Sequence, residues 1–157
     1  MPKASAGLLI YRRTGPGIEF LIVHPGGPFW RNKDEGAWSI PKGELDDPSD
    51  DPLAVAVREF EEEIGEAPPD VTDAVSLGEI RQSSGKRVTA WAIEGDLEVD
   101  EIHSNTFEAE WPPRSGRMQA FPEVDRAGWF EPAAARAKLL RGQAAFVDRL
   151  LERLAAR

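Results

Sequence analysis

A chain of 157 residues is one domain's worth, enough to bury roughly two-thirds of its unfolded surface, so one domain over residues 1–157 is expected. The 19 Lys and Arg against 28 Asp and Glu leave a formal charge of −9. That balance counts against a nucleic-acid polymer as partner, because affinity for its backbone rests on clustered cations. Cysteine is absent and His24 and His103 are the only histidines. Disulfides, thiolate nucleophiles, cysteine-based zinc sites and multi-histidine metal centres are thereby excluded. No run approaches the ~20 apolar residues of a membrane span, and the first residues lack a signal peptide's apolar run. A cytoplasmic protein, monomeric or homodimeric and without membrane contact, is expected. A small phosphate-bearing substrate stays compatible with the acidity if a metal ion bridges the two negative partners.

The first predicted elements are strands over Ala4–Tyr11 (ASAGLLIY) and Ile18–His24 (IEFLIVH), separated by the turn Gly15-Pro16-Gly17. Pro25 to Gly43 is loop-like, interrupted by Trp38-Ser39-Ile40. Asp51 is a good N-cap, Pro52 suits the first helical position, and Gly65 can close a helix in the left-handed conformation. Leu53–Ile64 between them spans about three turns. After Pro68-Pro69, Val75–Gln82 and Arg87–Glu94 form a predicted hairpin around Ser83-Ser84-Gly85. Further strands are expected at Thr106–Trp111 and Arg126–Phe130. A helical tail follows over about 131–157, broken near Gly142. Strands on both sides of a central helix point to an α/β fold, an α/β/α sandwich around a central mixed sheet.

On a helical wheel, Leu53, Val57, Phe60 and Ile64 make the stripe that packs on a sheet. Glu59, Glu62, Glu63 and Glu66 make another, at spacings of three, four and seven. Like charges so placed destabilise an isolated helix by a few tenths of a kcal/mol per pair. For an arbitrary helix the ordinary explanation is a solvated acidic face. Here only Arg58 interleaves the run, and a hard cation among the carboxylates would remove the repulsion.

The wider segment distinguishes the two readings. Gly43 to Gly65, and above all Arg58-Glu59-Phe60-Glu61-Glu62-Glu63-Ile64-Gly65, resembles the signature box of the Nudix hydrolases. That pattern is a glycine, a later glutamate, then Arg-Glu-apolar-x-Glu-Glu-x-Gly. The resemblance implies a Nudix-like sandwich and a pyrophosphohydrolase using Mg²⁺, or Mn²⁺ in its place. It implies that Glu59, Glu62 and Glu63 bind the metal, that Gly43 adds a backbone carbonyl, and that Arg58 orients the carboxylates. The box at 43–65 is one residue longer than usual between Gly43 and Arg58. Its usual glutamate falls at Asp50 counting back from Arg58, or at Ser49 counting forward, so Asp50 is the expected partner of Arg58. Ala6–Arg13, Ile18–Leu21 and Trp38–Gly43 further resemble the asymmetric diadenosine tetraphosphate hydrolase branch. There a glutamate precedes a tryptophan near the last strand, close to the metals; Glu123 and Trp129 hold the matching places.

Catalytic candidates are therefore Arg58, Glu62, Glu63 and Glu123, the three glutamates being alternatives for the base that takes the proton of water. Lys42, beside the box glycine, and Arg87 are candidates for substrate phosphate; Lys86, Arg114 and Arg117 could extend a basic rim. Trp30, or else Trp111, could stack on a base, whereas Trp91, Trp129 and His24 fit structural roles. The expected substrate is a small nucleotide, most specifically a dinucleoside polyphosphate such as diadenosine tetraphosphate. ADP-ribose or another nucleoside diphosphate derivative is the rival substrate. A non-catalytic nucleotide-sensing module is the rival class, disfavoured because all three box glutamates are present.

Overall fold

A computed structural model describes residues 3–156. The first two strands, β1 (Ala4–Thr14) and β2 (Gly17–Pro25), pair antiparallel across the Gly15 turn. A three-residue strand, β3 (Lys42–Glu44), adds beside the first half of β1 and leads into helix α1 (Pro52–Ile64). Next come β4 (Val75–Arg81) and β5 (Arg87–Glu94), an antiparallel hairpin whose second strand runs parallel to β1. The hairpin β6 (Thr106–Glu110) and β7 (Met118–Pro122) forms a separate two-stranded sheet, and β8 (Val124–Phe130) returns to pair with β2. The chain then continues through α2 (Pro132–Lys138), a 3-10 turn at Arg141–Gln143 and α3 (Ala144–Ala155). The main sheet is six-stranded and mixed, in the order β4-β5-β1-β2-β8 with β3 beside β1. Helices cover both faces. This is the α/β/α sandwich expected from the sequence.

The period-two alternation of a strand divides the apolar residues of β1 between two cores. Ala6, Leu8 and Ile10 lie under α1 with Leu21, Val23, Val55, Phe60 and Ile64. Leu9 and Tyr11 lie under α2 and α3 with Phe20, Ile22, Leu139, Phe146 and Leu150. Central strands covered on both faces must be apolar on both, which is why Ala6–Tyr11 is an uninterrupted buried run. In α1 the expected stripe holds at Phe60 and Ile64, while Val55 and Ala56 are buried more deeply than Leu53 and Val57 at its edge.

The ends of α1 set where its carboxylates stand. Asp51 accepts from the Leu53 amide at 3.2 Å, and Gly65 ends the helix at φ 92°, its N–H returning to the Glu61 carbonyl at 2.8 Å. An Asp51→Ala substitution is expected to cost about 1 kcal/mol, the usual loss for an N-cap acceptor. Urea denaturation would measure it as a lower midpoint at unchanged slope.

Two elements were not foreseen. The short β3 begins inside the segment expected to be loop, and β7 turns the lone predicted strand at Thr106, which ends at Glu110, into a hairpin that runs to Pro122. Both faces of that hairpin are largely exposed, so it carries little of the apolar alternation that marks a half-buried strand. Its anchor is local. Phe107 packs beside Phe121 at 6.0 Å, and a Cβ on Gly27 would lie 2.8 Å from the Phe107 ring.

Candidate active site

The β3 edge and the C-terminal half of α1 face one another. The Lys42 amide donates to Glu63 Oε1 at 3.3 Å, tying the strand to the helix. Beside it, Gly43 leaves room for Glu59: a Cβ at this position would overlap the Glu59 carboxyl group. The glycine is therefore required by close approach, not by backbone conformation. A backbone chain then carries Glu123 to the same place. The Asn105 amide donates to the Glu62 carbonyl at 2.8 Å, the Glu123 amide to the Asn105 carbonyl at 2.7 Å, and the Gly26 amide to the Glu123 carbonyl at 3.0 Å.

Two adjoining clefts result. A polar one of about 410 Å³ is lined by Gly43, Glu44, Glu59, Glu62, Lys86 and Asn105 among others. A more apolar one of about 220 Å³ is lined by Val23, Trp30, Ile40, Val124 and Leu140. Lys42, Glu63 and Glu123 belong to both. A wall shared in this way lets one molecule present an apolar ring to one cleft and anionic groups to the other.

Burial governs the electrostatics. It pushes the Glu63 carboxyl up to about 8, with Glu59 and Glu123 adding repulsion and Lys42 opposing the rise. Glu59 is raised by burial and then by Glu62, against the pull of Arg58. Lys42 is lowered by burial and by Lys86, partly countered by Glu63. Among the described residues no three His, Cys, Asp or Glu side chains make a ready-formed metal cage. The donor set nevertheless suits a hard divalent cation. Its donors are all oxygens, and buried carboxylates that repel one another are the ones a cation favours most.

The structure corrects two sequence expectations. Asp50 does not meet Arg58. Its carboxylate accepts from the Asp47 amide at 3.0 Å, while Asp47 Oδ1 accepts from the Ser49 amide and hydroxyl at 2.9 and 2.8 Å. The extra residue of the box is absorbed in this self-bonded turn. Arg58 lies instead 3.5 Å from Glu59 and 3.9 Å from the exposed Asp46. Arg87 is likewise absent from the linings of both clefts. Arg87 opens β5, and Lys86, just before the strand, takes the place in the polar cleft, paired with Glu44 at 3.1 Å.

Other candidates are placed as follows. Trp30 lines the apolar cleft with the Lys33 ammonium 5.1 Å from its ring centroid, whereas Trp111 packs edge-on against Phe29 at 6.3 Å. Arg114 and Arg117 sit at the turn of the β6–β7 hairpin, outside the two linings. Trp91 and Trp129 pack at the margin of the α1 core. Sequence reasoning missed Asn105, whose role is carried by its backbone and leaves no compositional trace. It also missed Gln143, which is fully buried. Gln143 accepts from the Ile40 amide at 2.9 Å and donates to Ser39 Oγ at 3.1 Å, fixing the segment that walls the apolar cleft.

The chain matches the model of the NUDIX domain over residues 1–151, and it belongs to that family. As a Nudix hydrolase it is an enzyme acting on pyrophosphate bonds. Its fold resembles a Caenorhabditis elegans Ap4A hydrolase in a binary complex, at 21% identity and TM-score 0.69, covering 98% of this chain and 99% of that one. It also resembles the NUDIX domain of Shewanella oneidensis NrtR complexed with ADP ribose (15%, TM-score 0.66, 98% and 89% covered). A MutT protein from Methanosarcina mazei Go1 is similar too (19%, TM-score 0.60, 99% and 97% covered). No curated protein matches it in sequence. None of its helices is long and apolar enough to cross a membrane, among the described residues.

Proposed function

We propose that the chain is a divalent-cation-dependent pyrophosphohydrolase of nucleoside polyphosphates, and that its preferred substrate is a dinucleoside polyphosphate such as diadenosine tetraphosphate. The observation that carries this reading is the wall shared by the two clefts, which puts Trp30 and the carboxylates within reach of one substrate. Trp30 and its apolar neighbours hold a base, and Lys42 and Lys86 bind successive phosphates. Glu59, Glu62 and Glu63, with the Gly43 carbonyl, hold Mg²⁺ or Mn²⁺. A cation bound there neutralises phosphate charge and eases attack by water. Arg58 restrains Glu59. The proton of the attacking water passes to Glu62, Glu63 or Glu123, all of which border the polar cleft. This reading places the enzyme in the cytoplasm, as a monomer or homodimer.

A substrate panel with Mg²⁺ tests it, comparing kcat/KM for diadenosine tetraphosphate, ADP-ribose, a nucleoside triphosphate and an inositol pyrophosphate. Labelled water (¹⁸O) identifies the phosphorus attacked. Diadenosine tetraphosphate is expected to lead. If ADP-ribose or a plain triphosphate exceeds it by more than about tenfold, roughly 1.4 kcal/mol of transition-state preference, the dinucleotide reading is wrong. The likeness to a domain complexed with ADP ribose makes that compound the rival to include.

A further inference from the structure

At the end of β2, His24 is completely buried, edge-on to Trp38 with ring centroids 5.3 Å apart. Its Nδ1 lies 2.8 Å from Asp125 Oδ1 and its Nε2 lies 2.6 Å from the Lys33 carbonyl oxygen. A carbonyl oxygen only accepts, and an ionised carboxylate only accepts. With Asp125 ionised, both contacts are hydrogen bonds only when both ring nitrogens donate. A neutral ring against an ionised Asp125 would turn one lone pair toward an oxygen at hydrogen-bond distance.

The position of this pair is informative. A buried ion pair is weak evidence for stability, since apolar residues of similar volume often serve a core as well. The His24 pair, however, joins three separate elements: β2, β8 and the loop before Trp38. Its neighbours in sequence, Val23 and Val124, both line the apolar cleft. Its acceptor, Lys33, closes a turn on Trp30: the Lys33 amide donates to the Trp30 carbonyl at 3.0 Å. Charged groups around the pair are themselves engaged. Arg126 Nε lies 3.9 Å from Asp125 Oδ1, with its guanidinium 5.3 Å from the Trp38 ring centroid. Asp34 accepts from Trp38 Nε1 at 2.7 Å and from Lys138 Nζ at 2.9 Å.

We propose that His24 and Asp125 form a charged latch behind the base-binding cleft, and that His24 is a positioning residue for the loop carrying Trp30. The assignment of that cleft to a base rests on the function proposed above; the latch itself rests only on the hydrogen-bond geometry.

Two experiments test it, on the full chain with His24→Gln and Asp125→Asn. Long-range ¹H–¹⁵N spectra of the wild-type imidazole are expected to show both ring nitrogens protonated, and Asp125→Asn to remove one of those protons. Amide hydrogen exchange is expected to rise in residues 26–37 of each variant while α1 keeps its protection. These readouts need no substrate, so they stand even if the substrate panel overturns the proposed function. Kinetics then use the panel's fastest substrate. KM should rise about tenfold while kcat stays within about twofold, the pattern of lost ground-state and transition-state binding alike. A wild-type ring carrying one proton would overturn the latch, as would exchange that rises throughout the molecule. Unchanged KM with faster exchange in the loop would overturn the positioning role.

Discussion

A Glu63→Gln variant is expected to fold, to lose several orders of magnitude in kcat, and to be more heat-stable than the parent protein without divalent cations. The loss of turnover follows from exchanging a carboxylate for an amide in the proposed cation site. The gain in stability follows from burial, which raises the Glu63 carboxyl from 4.5 to about 8. Between those values the folded state keeps a proton that the unfolded chain releases. Stability therefore falls as pH rises through that window, by at most about 1.4 kcal/mol per pH unit. The substituted amide carries no charge to desolvate and escapes the penalty. Melting curves in chelator at about pH 5 and pH 8 should show the variant's advantage growing with pH, at roughly 2–4 °C per kcal/mol for a chain of this size. Adding Mg²⁺ should raise the parent's melting temperature more than the variant's, because only a ligand of the folded state stabilises it. Near-parental turnover in the variant, or equal melting temperatures at both pH values, would remove Glu63 from the site.

The second large effect is expected at Gly43. A methyl group there occupies the space of the Glu59 carboxyl. The obstructed atoms are the end of a flexible side chain, so the strand can form and Glu59 moves aside. Gly43→Ala should then melt close to the parent protein yet lose about 10²-fold in kcat/KM, the scale expected when a reacting constellation is displaced by about 1 Å. Mg²⁺ titration of activity should show a weaker apparent affinity. Full activity at ordinary Mg²⁺ would show that Glu59 need not lie against Gly43.

The contrast between Asp50 and Glu59 explains which parts of the site were visible beforehand. Glu59, Glu62 and Glu63 are set by helical periodicity between Asp51 and Gly65, and both caps are present as expected. A helix converts spacing directly into a common face. Asp50 lies in a turn, where position depends on which local acceptor wins; Asp47 and Ser49 satisfy the loop internally and leave Arg58 to Asp46 and Glu59. Register counted from a motif therefore failed across an insertion while it held along the helix.

The sequence by itself determined the two buried central strands, the acidic helix and its ends, and the break in the C-terminal helices, because each depends on neighbours within a few residues. Only the tertiary structure decided that Lys86 faces the polar cleft in place of Arg87, that Trp30 and not Trp111 lines the apolar one, and that Glu123 reaches α1 through Asn105. It also showed His24 bound to Asp125 and Lys33 across 101 and nine residues of chain. The physical reason is the range of the interaction. Periodicity and capping act within a helix or strand, whereas the walls of this cleft are hydrogen bonds between segments whose separation in sequence carries no signal of their meeting.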